Sequence, residues 1–180
     1  MKNFFWLLFL VTANVCSAQV TDDFSDGDFT NNPIWSGDDT KFIVNTGFQL
    51  QLNSTGTDSS YLAAPNTQGL DSCEWNFWIR LNFSPSGSNY ARVYLVSDQQ
   101  NLKGALNGYY LQFGEALSND RVELFRQNGT TSTSVCRGTS SIALGFAIRV
   151  KVTRNNSALW HLYIDTLGGN NFLLEDTATD

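Results

Sequence analysis

Five pairs of side chains in this sequence carry rings or strong hydrogen-bonding groups two residues apart: Trp78 and Arg80, Arg92 and Tyr94, Tyr110 and Gln112, Arg149 and Lys151, His161 and Tyr163. Two-residue spacing places both members of a pair on one side of a strand. In every pair the side in question is opposite to the one taken by the apolar residues. Sugars suit such a set, because their C–H faces pack on rings while their hydroxyls take directional bonds from arginine and glutamine. These residues are therefore the candidate ligand-binding set, provided that several share one sheet. The competing reading is structural, with Tyr and Trp stabilising an exposed strand face by cross-strand pairing.

The carboxylates admit two further chemistries. Asp22, Asp23, Asp26 and Asp28 form a cluster of the oxygen donors that calcium takes. The cluster lacks the glycine spacing and closing glutamate of an EF-hand, and solvated carboxylates at a strand end and turn are the alternative. No other cofactor is indicated: there is no Cys-x-x-Cys pair, and His161 is the single histidine. Retaining glycoside hydrolases need two carboxyl groups about 5–5.5 Å apart. Glu74 is followed at its next same-side positions by Asn76 and Trp78, and asparagine is neither a nucleophile nor a general acid. Glu115 and Glu123 are isolated, and no Ser/His/Asp set surrounds His161. A non-catalytic protein is expected, with a glycosidase-like enzyme acting on polysaccharide as the alternative.

The elements that must position these groups are strands. Trp75, Phe77, Ile79, Leu81 and Phe83 alternate with Glu74, Asn76, Trp78, Arg80 and Asn82, the period of a strand with one buried face. Pro85 and Gly87 break the run, and Ala91, Val93 and Leu95 resume it. The stretch from Cys73 to Val96 reads as a long antiparallel hairpin at the centre of a sheet. Before it, short strands are expected at Lys41 to Asn45, Phe48 to Leu52 and around Tyr61-Leu62-Ala63, after a first strand closed by the acidic cluster. After it, Tyr109, Leu111 and Phe113, then Val122 and Leu124, mark two more strands. Asn128-Gly129 is the strongest hairpin signal. Phe146 to Val152, Trp160 to Ile164 and Phe172 to Glu175 complete the series. With turns every 8–12 residues and no helical periodicity beyond the first residues, the fold class is all-β, an antiparallel two-sheet β-sandwich of jelly-roll type.

The chain has 180 residues and a formal net charge of −6. An acidic balance argues against nucleic acid or an anionic membrane as partner. Residues Met1 to Ala18 read as a signal peptide: Lys2 and Asn3 precede an apolar run from Phe4 to Val11, and Cys16-Ser17-Ala18 offers small residues for cleavage before Gln19. A lipoprotein reading with Cys16 acylated is weaker, since Asn14 and Val15 are wrong just before it. The run is too short to span a bilayer, which takes roughly 20 residues. No membrane insertion is expected of the mature chain, a single domain over residues 19–180. In an oxidising compartment Cys73 and Cys136 are candidates for a disulfide stabilising by about 4 kcal/mol, with two free thiols as the alternative.

The segment Asp22-Asp23-Phe24-Ser25-Asp26-Gly27-Asp28-Phe29 together with Trp35-Ser36-Gly37-Asp38 resembles the opening of concanavalin A-like (laminin-G-like) jelly-roll domains. The runs from Ser86 to Asp98 and from Gly108 to Glu115 are similar to the N-terminal sandwich of large secreted Bacteroidetes surface proteins of the lamin-tail-domain or gliding-motility type. The resemblance implies the sandwich and export to the cell surface. It implies no catalytic residues. It also implies that lamin-tail and sorting domains, and a final strand beside residues 22–24, would lie beyond Asp180. The expected role is a secreted or cell-surface recognition or structural module, with glycans or cell-surface components as partners.

Overall fold

From residue 73 onward, alternation of apolar and polar side chains becomes strand, except that the first run stops at Leu81 and leaves Phe83 exposed beyond it. The computed structural model describes residues 20–67, 69–117 and 119–180. The signal-peptide reading, with Cys16 and the cleavage before Gln19, lies outside the described residues. The strands are β1 (Ser36–Gly37), β2 (Phe42–Val44), β3 (Leu50–Leu52), β4 (Leu62–Ala63), β5 (Cys73–Leu81), β6 (Ala91–Ser97), β7 (Leu106–Phe113), β8 (Val122–Gly129), β9 (Thr131–Arg137), β10 (Phe146–Arg154), β11 (Leu159–Asp165) and β12 (Leu173–Thr179). Among the described residues the only helical piece is a 3-10 turn, Asp39–Lys41.

Two four-stranded antiparallel sheets make the sandwich. Sheet I has the order β12-β11-β10-β5 and sheet II the order β6-β7-β8-β9. Their facing sides form one core: Leu95, Leu111, Phe113, Val122, Leu124 and Cys136 from sheet II against Ile148, Val150, Val152, Trp160, Leu162 and Ile164 from sheet I. Trp75, Phe77, Ile79 and Leu81 of β5 pack onto it. Fully burying one such aliphatic side chain stabilises by about 1.5–3 kcal/mol. β1 pairs only with β4 and β2 only with β3, so the region before residue 64 adds two small ribbons rather than strands of the main sheets.

Three expectations are corrected here. β5 and β6 are not a hairpin. β5 is the edge of sheet I, paired to β10, and β6 is the edge of sheet II, paired to β7. The Pro85/Gly87 segment crosses between sheets, and the two strands meet through the Trp75 indole, which donates to the Leu95 carbonyl at 2.9 Å, where a bulge interrupts the β6–β7 ladder. Residues 22–28 form turns and close no first strand, because Asp22, Asp23 and Asp26 each accept the backbone amide two residues on and hold the chain in Asx-type turns. The last strand continues through Thr179, well past Glu175.

A fourth correction concerns the cysteines, which are both free. Cys136, on β9, lies beside β12: the Arg137 amide donates to Asp176 of β12 at 2.8 Å. Cys73 begins β5, three strands away across sheet I, about 14 Å at the usual strand spacing. Cysteines whose Cα atoms are more than about 7 Å apart cannot be bridged without backbone movement. Burial pushes the Cys136 thiol up to about 12. A chain beginning at Gln19 should therefore titrate as two thiols after denaturation without reductant, while in the native protein at pH 8 Cys136 stays unreactive. Absence of free thiol after denaturation would overturn this assignment.

A second seam closes the sandwich along β12. The Glu175 carboxylate accepts from the amides of Thr139 and Ser140 and from both hydroxyls, clasping the loop after β9 onto sheet I. Burial raises its pKa, but the bonds from Ser140 and Thr139 outweigh burial and hold it below the usual carboxylate value. The clasp is thus fully present above the unfolded pKa and is lost as pH falls through the depressed folded one. Glu175→Ala should cost about 2 kcal/mol at pH 7. The difference from wild type should shrink below about pH 4 in chemical-denaturation curves.

Candidate functional site

The candidate side chains do not share one face. Strand register distributes them over the two outer sides of the sandwich, which point in opposite directions. Trp78, Arg80, Arg149, Lys151, His161 and Tyr163 lie on the outer side of sheet I, and Arg92, Tyr94, Tyr110 and Gln112 on that of sheet II. The physical reason is the inter-sheet crossing between β5 and β6.

On sheet II the register aligns Tyr94, Tyr110 and Phe125 in one row and Arg92, Gln112, Glu123 and Arg137 in the next. Tyr110 stacks on Phe125 with centroids 5.3 Å apart and contacts Tyr94 at 5.0 Å. The Arg92 guanidinium caps it at 4.5 Å, leaving Tyr110 only 1% exposed. The polar groups are matched among themselves. The Tyr94 hydroxyl donates to Gln127 at 2.6 Å, the Tyr110 hydroxyl to Ser132 at 2.9 Å, Arg92 to Gln112 at 3.0 Å, and Gln112 to the Gly114 carbonyl at 2.9 Å. Arg137 bridges Glu123 and Glu115. This surface is a self-satisfied cross-strand ladder, the structural outcome foreseen as the competitor to binding.

Sheet I is different. Trp78 stands directly across from Arg149, and Asn76 across from Lys151. Lys151 stands across from Tyr163, and Thr153 from His161. The His161 and Tyr163 rings stack at 6.0 Å. The Lys151 ammonium sits 4.7 Å from the centroids of both Tyr163 and Phe172, a cation between two ring faces. The loop between β11 and β12 folds back over this side. Asp165, buried, accepts the amides of Leu167 and Asn171 at 2.8 and 2.7 Å and anchors the loop. Gly168 then passes so close that an added Cβ would lie 3.0 Å from the Trp78 indole nitrogen.

The polar groups here are largely unmatched. Arg149 makes one long contact, 3.4 Å to Asn76, and its Nε is buried with no partner. Arg80 donates to neighbouring Asn82 at 2.6 Å. Among the described residues no acceptor stands at the Trp78 indole, the Lys151 ammonium or the Tyr163 hydroxyl. An open depression of about 350 Å³, lined by Arg80, Leu81, Asn82, Gly145, Phe146 and Ala147, adjoins the Arg80 end. Phe172 and Gly168 complete this surface without having been foreseen: Gly168-Gly169-Asn170 reads only as a turn, and nothing local shows that it closes over β5.

The aspartates of residues 22–28 do not converge. Asp22 accepts the Trp35 indole at 2.8 Å, and Asp28 holds Thr30 and Asn31. Among the described residues no three His, Cys, Asp or Glu side chains gather as a metal site. The calcium reading is replaced by turn capping, since each carboxylate is turned to its own loop. The bond to the Thr30 amide is the chief cause of the lowered pKa of Asp28, as hydrogen bonds to Ser25 are for Asp23. Among the described residues no helix is long and apolar enough to cross a membrane. No protein-family model, curated protein or solved structure matches the chain.

Gly168 has φ +75°, a conformation that side chains rarely adopt. Gly168→Ala should therefore cost about 1 kcal/mol or more by chemical denaturation and alter the near-ultraviolet dichroism of Trp78. A variant with native stability and an unchanged spectrum would show that the loop does not pack on the ring.

Proposed function

We propose that this chain is a non-catalytic recognition module, exported to the cell surface or medium, and that carbohydrate is its ligand class. The outer side of sheet I is the ligand face. One observation carries the reading: rings and hydrogen-bond donors without acceptors lie together there, while the same residue types on sheet II satisfy one another. A side chain already held by its neighbours must break those bonds to bind, whereas an unmatched donor gains a partner. Trp78, Tyr163 and His161 supply ring surface for sugar C–H groups, and Asn76, Arg80, Arg149 and Lys151 supply directional donors.

The non-catalytic part of the proposal is supported by the carboxylates. On the outer side of sheet I Glu74 is exposed but has no carboxylate beside it on β5, where Asn76 and Trp78 follow. Asp165 is buried and committed to its loop. On sheet II, Glu115 and Glu123 are tied to one guanidinium, so neither is free to face a glycosidic bond. The likeness to concanavalin A-like surface modules is consistent with this reading and belongs to the same proposal.

The test is a glycan array and polysaccharide pull-down of the protein with Trp78→Ala on one side and Tyr94→Ala on the other, after circular dichroism shows that each is folded. The expected result is binding by wild type and Tyr94→Ala, reduced at least roughly tenfold in Trp78→Ala, since hot-spot rings contribute about 2 kcal/mol or more. Loss in Tyr94→Ala alone would move the site to sheet II. Equal binding by all three would overturn the assignment of the face.

A further inference from the structure

We infer that the sheet I face selects an anionic polysaccharide, one carrying uronate carboxylates, over a neutral one. This rests on the recognition reading above and adds the ligand's charge. In a chain of net charge −6, five of the ten lysines and arginines among the described residues are ion-paired. Lys41 pairs with Asp58, Lys103 with Asp38, Arg126 with Asp180, Arg137 with Glu115 and Glu123, and Arg154 with Asp71. Among the described residues Arg80, Arg149 and Lys151 have no such partner, and all three stand on this one face. The other two cations without an ion pair lie off this face: Arg92 is on the outer side of sheet II, over Tyr110 and bound to Gln112, and Arg121 precedes β8 and donates to the Asp120 carbonyl.

Register shows why the three remain unpaired. Arg80 faces Ala147; Arg149 lies between Trp78 and Asp165; Lys151 lies between Asn76 and Tyr163. Asp165 is the only carboxylate in these rows. Its two oxygens accept the Leu167 and Asn171 amides, so it closes the loop and makes no ion pair with Arg149. Glu74 comes one row further along, opposite Thr153. The positions of Arg80 and Lys151 are separated by about 13 Å along the sheet at roughly 3.3 Å per residue, room for more than one sugar ring.

The inventory of free groups points the same way. The Trp78 indole, the Arg guanidinium and the Lys ammonium are donors with no acceptor capacity. A neutral sugar offers hydroxyls that both donate and accept, and of the free groups on this face only the Tyr163 hydroxyl can accept from them. A carboxylate is acceptor-only, and its two oxygens fit the planar fork of a guanidinium. The rings of Trp78 and Tyr163 beside Arg149 and Lys151 then meet the sugar carbon skeleton.

Affinity electrophoresis of the full chain through gels containing polygalacturonate, a sulfated galactan or a neutral β-glucan tests this. Polygalacturonate should retard the wild type most strongly. Arg149→Gln/Lys151→Gln should weaken that retardation roughly tenfold. Arg80→Gln, an exposed change that leaves the fold undisturbed, should weaken it about threefold, and Arg92→Gln on the opposite face should not change it. Raising sodium chloride from about 50 to about 300 mM should weaken binding severalfold, as expected for exposed charges. Retardation by the sulfated galactan alone, or unchanged binding in Arg80→Gln and in a folded double variant, would overturn the inference. Retardation by the neutral glucan that depends on Trp78 would overturn it while leaving carbohydrate recognition standing. No retardation by any of the three would overturn both.

Discussion

Trp160 is the contact on which the two sheets depend. It lies on β11 near the middle of sheet I, is fully buried, and stacks on Trp75 of β5 at 5.7 Å. On its other side it meets Tyr109 of sheet II at 4.7 Å. Its indole nitrogen donates to the Asp180 carbonyl at 3.2 Å, which gives a buried polar group its partner. One side chain thus links three strands and both layers. Trp75 extends the link to the opposite edge through its bond to Leu95. Most of the remaining core is aliphatic and fills the space between these rings, so the separation of the sheets is set by stacked aromatic side chains.

With the inner sides committed to the core, the outer sides carry the difference that matters for function. Both have tyrosine, arginine and amide groups at alternate positions, and composition alone makes them equivalent. On sheet II those groups reach one another across adjacent strands, and Tyr110 disappears beneath Arg92. On sheet I the corresponding positions hold a small residue, Ala147, or an acid diverted to a loop, Asp165. Donors there lack neighbours to receive them. The contrast follows from register: a partner one strand away is in reach only if it sits in the same row.

Much of the fold was legible in the residues. The alternation of Ile148, Val150 and Val152, of Trp160, Leu162 and Ile164, and of Leu111 and Phe113 identifies strands and their buried sides correctly, because side-chain direction in a strand has period two whatever the strand pairs with. Asn128-Gly129 also marks a real hairpin, with Gly129 at φ +62°. It turns over Gly129 and Thr130, one residue later than the dipeptide suggests. The pairing of strands was less legible. Ser84 to Asn89 has the composition of a hairpin turn, and composition does not distinguish a reversal within one sheet from a passage between two.

The sequence alone determined that this protein is built from antiparallel strands with one buried side each, and which side chains face away from the core. Those conclusions rest on local periodicity, which every residue carries with it. Tertiary structure decided which outward side chains become neighbours, and it divided one apparent binding set into a satisfied ladder and an unsatisfied face. It also separated Cys73 from Cys136 and turned the early aspartates to their own loops. These outcomes depend on distances between residues far apart in the chain, which are set by sheet order and crossing, and no local pattern encodes them.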